Sequence, residues 1–191
     1  GIPAEPLFRS RDGVFILVPF FHYKMSQEKR VISIDAMGGD NAPGAVFGGI
    51  NQFLYQYGED SAFFRIFGKE KQLRSLLKKF PRVARNCEII NAANVISGTD
   101  KVRDVIRHAQ DTSMYMAIMD VRNGNSSAVV SAGNTGVLMA LSKLALKTVD
   151  GISRPAITTM LPSGDGDSRV VGLDLGRSQL IHGSWLSRHH L

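Results

Sequence analysis

Residues 128–139, A-V-V-S-A-G-N-T-G-V-L-M, carry four small or β-branched residues into a Gly-Asn-Thr-Gly turn and then straight into an apolar helical pattern. A strand that stops at a glycine turn and restarts as a helix is the repeating unit of an α/β fold. The outline recurs at residues 31–43 (V-I-S-I-D-A-M-G-G-D-N-A-P), and residues 170–176 (V-V-G-L-D-L-G) are a strand ending in Asp-x-Gly. Residues 31–35 alternate little and are mostly β-branched, as expected of a parallel strand buried on both faces. In an open parallel sheet all the strand carboxyl ends lie on one edge, where ligands bind. The chain is therefore expected to bring these three strand ends together.

The remaining sequence supplies the intervening elements. Residues 44–57 place Val46, Phe47, Ile50, Phe53 and Leu54 at helical spacing, and residues 62–67 form the next strand. Residues 69–80 read as one helix with Leu73, Leu76, Leu77 and Phe80 inward and Lys71, Arg74, Lys78 and Lys79 outward. A short strand at 87–90, a loop at 92–101 and a helical pattern at 102–108 follow. Thr112 opens another helix, with Met114, Ala117, Ile118 and Val121 on one face. After a turn at 122–127 comes the opening stretch, its helix extending to about residue 147. Strands are expected at 155–160 and 170–175, joined by a loop at 161–169. Short connections and regular alternation define an α/β doubly wound, mostly parallel sheet.

Composition narrows the partners. The net charge of +6 suggests nucleic acid, but residues 1–30 hold five Lys/Arg against three Asp/Glu and residues 177–191 two against none. Two thirds of the excess thus sits at the ends, which argues against nucleic acid, because a binding domain holds its basic excess on the folded part. The single cysteine, Cys87, excludes an intramolecular disulfide and a Cys-rich zinc site, and reads as a small buried or half-buried hydrophobe. The apolar run at 14–21 is interrupted by Pro19 and falls short of the ~20 residues of a membrane helix. G-D-G-D at 164–167 lacks the other ligands of a calcium loop and reads as a solvated turn, and no metal is expected. His108 reads as a surface or half-buried residue, and His182, His189 and His190 have no acidic or cysteine partners nearby.

The 131–136 loop has two properties of an anion site. Gly133 and Gly136 let backbone approach a ligand, and the N–H groups of Asn134, Thr135 and Gly136 stand at a helix start with its partial positive charge. Asn134 or Thr135 as a plain N-cap accounts for the same residues. For Asp35 and Asp40 the local reading is a brace within the loop and a cap of the following helix. Neither dinucleotide nor P-loop glycine spacing occurs, and two aspartates repel a bare phosphate unless a Lys, Arg or metal intervenes.

Taken together, I-D-A-M-G-G-D-N-A-P at 34–43, T-S-M at 112–114, V-S-A-G-N-T-G-V-L-M at 130–139, R-P-A at 154–156 and L-D-L-G at 173–176 resemble the bacterial phosphate acyltransferases of phospholipid synthesis, the PlsX family. The resemblance covers about residues 29–176. It implies transfer of a fatty acyl group from acyl carrier protein to inorganic phosphate, giving an acyl phosphate for a glycerol-3-phosphate acyltransferase downstream. It also implies a fold similar to isocitrate and isopropylmalate dehydrogenases, a homodimer at full length, no cofactor, and a cytoplasmic enzyme held peripherally at the inner membrane face. Carried onto this sequence, Asn134 and Thr135 become the catalytic contacts. Ser131, Gly133, Gly136, Asp35, Gly38, Gly39, Asp40 and Asp174 form the phosphate and substrate site. The basic face of Lys71, Arg74, Lys78 and Lys79 is either a dock for the acidic carrier protein or a solvated surface.

The sequence departs from the family at both ends. Residues 1–28 read as an appendage, and after Gly176 the family's D-x-G-A-N is replaced by residues 177–191, which read as an out-of-frame or premature end. Truncation keeps two alternatives open: an inactive fragment of the enzyme, and a phosphotransacylase using a small coenzyme A thioester.

Overall fold

A computed structural model describes residues 15–17, 29–148, 150, 155–162 and 169–173, with backbone alone for 15–17, 158–162 and 169–173. Two compact units divide at residues 149 and 150. The first holds a five-stranded sheet. In chain order its strands are β1 (Phe15–Leu17), β2 (Arg30–Asp35), β3 (Ala62–Gly68), β4 (Cys87–Asn91) and β5 (Ala128–Ser131). In space the order is β1-β5-β2-β3-β4. The four strands from β5 to β4 are parallel, whereas β1 pairs antiparallel with β5, so part of the stretch set apart as an appendage joins the sheet edge.

Period-two side chains give this sheet two faces. One face carries Ile34 of β2 with Phe64 and Ile66 of β3. Over it packs α1 (Gly44–Tyr57), burying Phe47, Ile50, Phe53 and Leu54 as its helical spacing dictates. Leu73 of α2 (Glu70–Leu77) and Val83 of α3 (Pro81–Ala84) join that core. The helix expected over 69–80 is realised as α2 alone, ending at Leu77, and the separate turn α3 begins beyond it at Pro81, which restricts Phe80 to non-helical backbone. The other face carries Phe67 and Val129 under α4 (Val102–His108), α5 (Ser113–Arg122) and α6 (Thr135–Leu146). Helices on both faces make the sheet doubly wound, as its sequence pattern requires.

Connectivity decides which loops share the sheet edge where folds of this kind bind ligands. From β2 the chain steps outward through β3 to β4, then returns across β2 to form β5 on its other side. The winding direction therefore reverses between β2 and β5, the position at which the carboxyl ends of an open parallel sheet splay apart. The loops after these two strands are the Gly-Gly-Asp and Gly-Asn-Thr-Gly loops.

The second unit contains β6 (Thr158–Pro162) and β7 (Arg169–Leu173), paired antiparallel as their own two-stranded sheet. This corrects the expectation that residues 170–175 add a third parallel strand end. A short connection favours a hairpin, whereas a parallel pair needs a long crossover.

Candidate active site

Parallel register sets Asp35 opposite Ser131 at the last positions of β2 and β5. Both side chains leave the sheet on the face covered by α5, and both are buried, Asp35 at 2 % exposure and Ser131 at 1 %. The Ser131 hydroxyl donates to Asp35 Oδ2 at 2.7 Å. Asp35 Oδ1 accepts from the Ser113 hydroxyl at 2.7 Å and from the Met37 backbone N–H at 3.2 Å. One carboxylate thus ties together the β2–α1 loop, the end of β5 and the first turn of α5. The brace within its own loop foreseen for Asp35 is present in the Met37 contact. Its bonds to Ser113 and Ser131 reach 78 and 96 residues along the chain, beyond any local pattern.

Having donated its proton to Asp35, Ser131 accepts with its oxygen from the Gly133 N–H at 3.1 Å. The Gly133 amide therefore points inward. Among the described residues the next three amides have no such partner: at the start of α6 the N–H groups of Asn134, Thr135 and Gly136 precede the first intrahelical bonds. Among the described residues the Thr135 hydroxyl is also unpaired, and Gly136 is exposed. This leaves a short row of donors facing out of a helix N-terminus.

The two loops touch through glycine. A Cβ placed on Gly38 would lie 2.7 Å from Gly133 N, 2.7 Å from Asp35 Oδ2 and 2.9 Å from Ser131 Oγ. Gly39, at φ +97°, takes a left-handed conformation that disfavours other residues. Gly38 is buried in the contact, whereas Gly39 and Asp40 are exposed at its rim. The cap role considered for Asp40 is not realised, since Pro43 occupies the N-cap of α1 and no side chain caps it.

Asn134 is engaged at both ends of its amide. Its Oδ1 accepts from Val137 N at 3.1 Å, capping α6. Its Nδ2 donates to Gly98 O at 3.1 Å and Asp100 O at 3.2 Å, which fixes the 97–101 turn beside the helix start. Beyond that turn lies an open groove of about 550 Å³ lined by Asn94, Thr99, Lys101, Asp104, His108 and Thr112. Thr112, where the sequence pattern opens a helix, caps α5 by accepting from Tyr115 N. Neither Ser113 nor the 97–101 turn carried an assigned role in the sequence reading. Ser113 lies in the quoted T-S-M, but nothing local points it at Asp35.

At the far end of α5 a second polar knot holds the helix to the sheet. Asp120 accepts from Ser33 at 2.7 Å, Arg65 at 2.8 Å and Asn125 at 3.0 Å. Burial alone would push its carboxyl up, yet these bonds outweigh it and hold Asp120 below the usual range. With Ser113 on Asp35 and Asp120 on Ser33, α5 runs antiparallel to β2 and its first turn is delivered to the crevice.

Other candidates fall elsewhere. The residues Lys71, Arg74, Lys78 and Lys79 are exposed, and Arg74 pairs with Glu70 at 2.7 Å. His108 is exposed on α4. Asp174, residues 163–168 and the three tail histidines lie outside the described residues. Among the described residues, no three His, Cys, Asp or Glu gather to hold a metal, and no helix is long and apolar enough to cross a membrane.

Fold and site together define an α/β protein whose two glycine-rich loops meet at the topological switch point of its parallel sheet. The chain belongs to the fatty acid synthesis protein family, whose model matches residues 30–181. It is 41 % identical over 145 residues to a phosphate acyltransferase of Maricaulis maris, covering 76 % of this chain and 41 % of that protein. The phosphate acyltransferases of Neorickettsia sennetsu and Ehrlichia ruminantium are 43 % and 44 % identical over 150 and 146 residues, covering 78 % and 76 % of this chain and 43 % and 42 % of those proteins. The chain thus spans about two fifths of the length of these relatives.

Proposed function

We propose that the crevice between β2 and β5 binds inorganic phosphate for attack on the thioester of an acyl carrier protein, giving an acyl phosphate. The observation that carries this reading is the row of donors at the α6 start, on the loop whose Ala132 and Gly133 lie against Gly39 and Gly38 at the switch point. Phosphate needs no activation to attack a thioester. The protein has to hold it in line and stabilise the oxyanion that forms. A phosphate oxygen bonds to the carbonyl carbon, the C–S bond breaks, and the phosphate proton leaves with the thiol.

In this reading the N–H groups of Asn134, Thr135 and Gly136 and the Thr135 hydroxyl bind the phosphate or the oxyanion. Gly38, Gly39 and Asp40 form the opposite wall. Gly133 and Ser131 shape the loop from beneath, with Asp35 as their anchor. Asp174 is assigned by its place in L-D-L-G. A full-length homodimer, peripheral membrane contact and supply of a glycerol-3-phosphate acyltransferase belong to the same proposal, on the strength of the family.

Titration with inorganic phosphate, followed through backbone amide resonances, is expected to shift Thr135, Gly136 and Gly39 together. Resonances that stay still there, or shift only elsewhere, refute the site. Acyl phosphate formed from acyl carrier protein thioester and phosphate, trapped with hydroxylamine, tests the reaction. A coenzyme A thioester run alongside identifies the donor.

A further inference from the structure

A phosphate cradle bounded by Asp35 and Asp40 needs a positive charge. The segments that build this one hold few candidates. The 36–43 loop, residues 132–134 and residues 112–114 contain no Lys or Arg. The fourth segment, the 97–101 turn, ends in Lys101.

Two hydrogen bonds bind that turn to the cradle. Asn134 Nδ2 donates to the carbonyls of Gly98 and Asp100, the residues on either side of Thr99. On the far side of Lys101, Val102 Cγ2 lies 3.5 Å from where a Cβ on Gly136 would stand. The Lys101 backbone is therefore pinned between two residues that touch the start of α6. Its side chain is exposed, and among the described residues it has no carboxylate partner. The turn's own carboxylate is otherwise engaged, since Asp100 Oδ2 accepts from Ser97 N at 2.8 Å. Lys101 also lines the groove that runs to Thr112, the residue next to Ser113 and its bond to Asp35.

We propose that Lys101 is the cation of the anion site and that Asn134 is a positioning residue that holds it there, through the two carbonyls its amide clamps. This rests on the phosphate reading above. An ammonium on a flexible stem suits the task, because it follows the anion as charge shifts from phosphate to the developing oxyanion. Asn134 then serves two separable ends. Its oxygen caps α6 and its nitrogen places the turn.

Phosphate affinity of the whole chain tests this with four variants. Lys101→Ala is expected to weaken inorganic phosphate binding about tenfold, the size of one partly exposed charge-assisted bond, with Lys101→Arg close to wild type. Asn134→Ser keeps a cap but has no amide donor, so it is expected to retain thermal stability, speed amide exchange across residues 97–101 and weaken phosphate binding several-fold. The double variant Lys101→Ala/Asn134→Ser is expected to bind no more weakly than Lys101→Ala, because the two residues act through one contact. Wild-type affinity in Lys101→Ala overturns the proposal and leaves the phosphate reading standing. Additive losses in the double variant overturn the positioning role, showing that Asn134 meets the ligand directly. A wild-type chain that binds no phosphate overturns the phosphate reading and this proposal with it.

Discussion

Adding one methyl group at Gly38 is expected to do more damage than at any other glycine of the α/β unit. A Cβ there meets Gly133 N and Asp35 Oδ2 at 2.7 Å and Ser131 Oγ at 2.9 Å. Ordinary contact begins about 0.7 Å further out, near 3.4 Å, so something must move. The obstructing atoms are backbone and a hydrogen-bonded buried pair rather than a flexible tip. Relief requires prising β5–α6 away from β2–α1, which breaks the Ser131 to Asp35 and Gly133 to Ser131 bonds. Each buried polar group left unpaired costs about 1–3 kcal/mol, so Gly38→Ala is expected to destabilise by roughly 2–5 kcal/mol. For a chain this size that lowers Tm by roughly 5–15 °C. Gly48 provides the control. It lies in α1, a Cβ there meets nothing within 4 Å, and its φ is not left-handed. Gly48→Ala is expected to stabilise by about 0.5–1 kcal/mol through helix propensity alone. Calorimetric melting of the two variants beside wild type decides the matter. Equal effects, or a Gly38→Ala variant that melts with wild type and keeps its phosphate affinity, would refute the close contact of the two loops.

Three further outcomes follow from groups outside the crevice. Asp120→Ala removes the acceptor of Ser33, Arg65 and Asn125. It is expected to cost about 2–4 kcal/mol in urea unfolding, and a loss below 1 kcal/mol would show that α5 is held by its apolar face alone. Arg85, with Asn86 and Arg82, holds the Glu59 carboxyl at about 2, far below its ordinary value. A depressed carboxyl stabilises the fold fully above its unfolded value near 4.5 and loses that contribution as pH falls towards 2, so Glu59→Gln is expected to flatten the acid limb of a Tm-against-pH curve. Parallel curves for the variant and wild type between pH 2 and 6 would contradict it. Burial pushes the Cys87 thiol up to about 11. Alkylation by iodoacetamide near neutral pH is accordingly expected to run roughly 30- to 300-fold slower than with a free thiol and to recover in denaturant; a native rate equal to the denatured one would place the sulfur in water.

The short-period features of this protein were legible in its sequence. Residues 31–35 and 128–131 announce buried parallel strands, the spacing of Phe47, Ile50 and Leu54 announces α1, and the glycines after each strand announce the loops. Those signals are local, because a strand repeats every two residues and a helix every 3.6. Their order also foretold a doubly wound sheet, and hence that the loops after β2 and β5 would share one edge.

Tertiary structure decided which side chains meet there. Asp35 finds Ser131 because parallel register makes them neighbours, and register is a property of two strands that neither encodes alone. Ser113 arrives because α5 is tied at its other end by Asp120 and Ser33. Pattern alone left Asn134 open between a cap and an anion contact. The fold shows the cap and adds a clamp on Gly98 and Asp100, more than thirty residues away. That clamp places the 97–101 turn beside the start of α6, because a loop with no periodicity of its own takes its position from whatever bonds it.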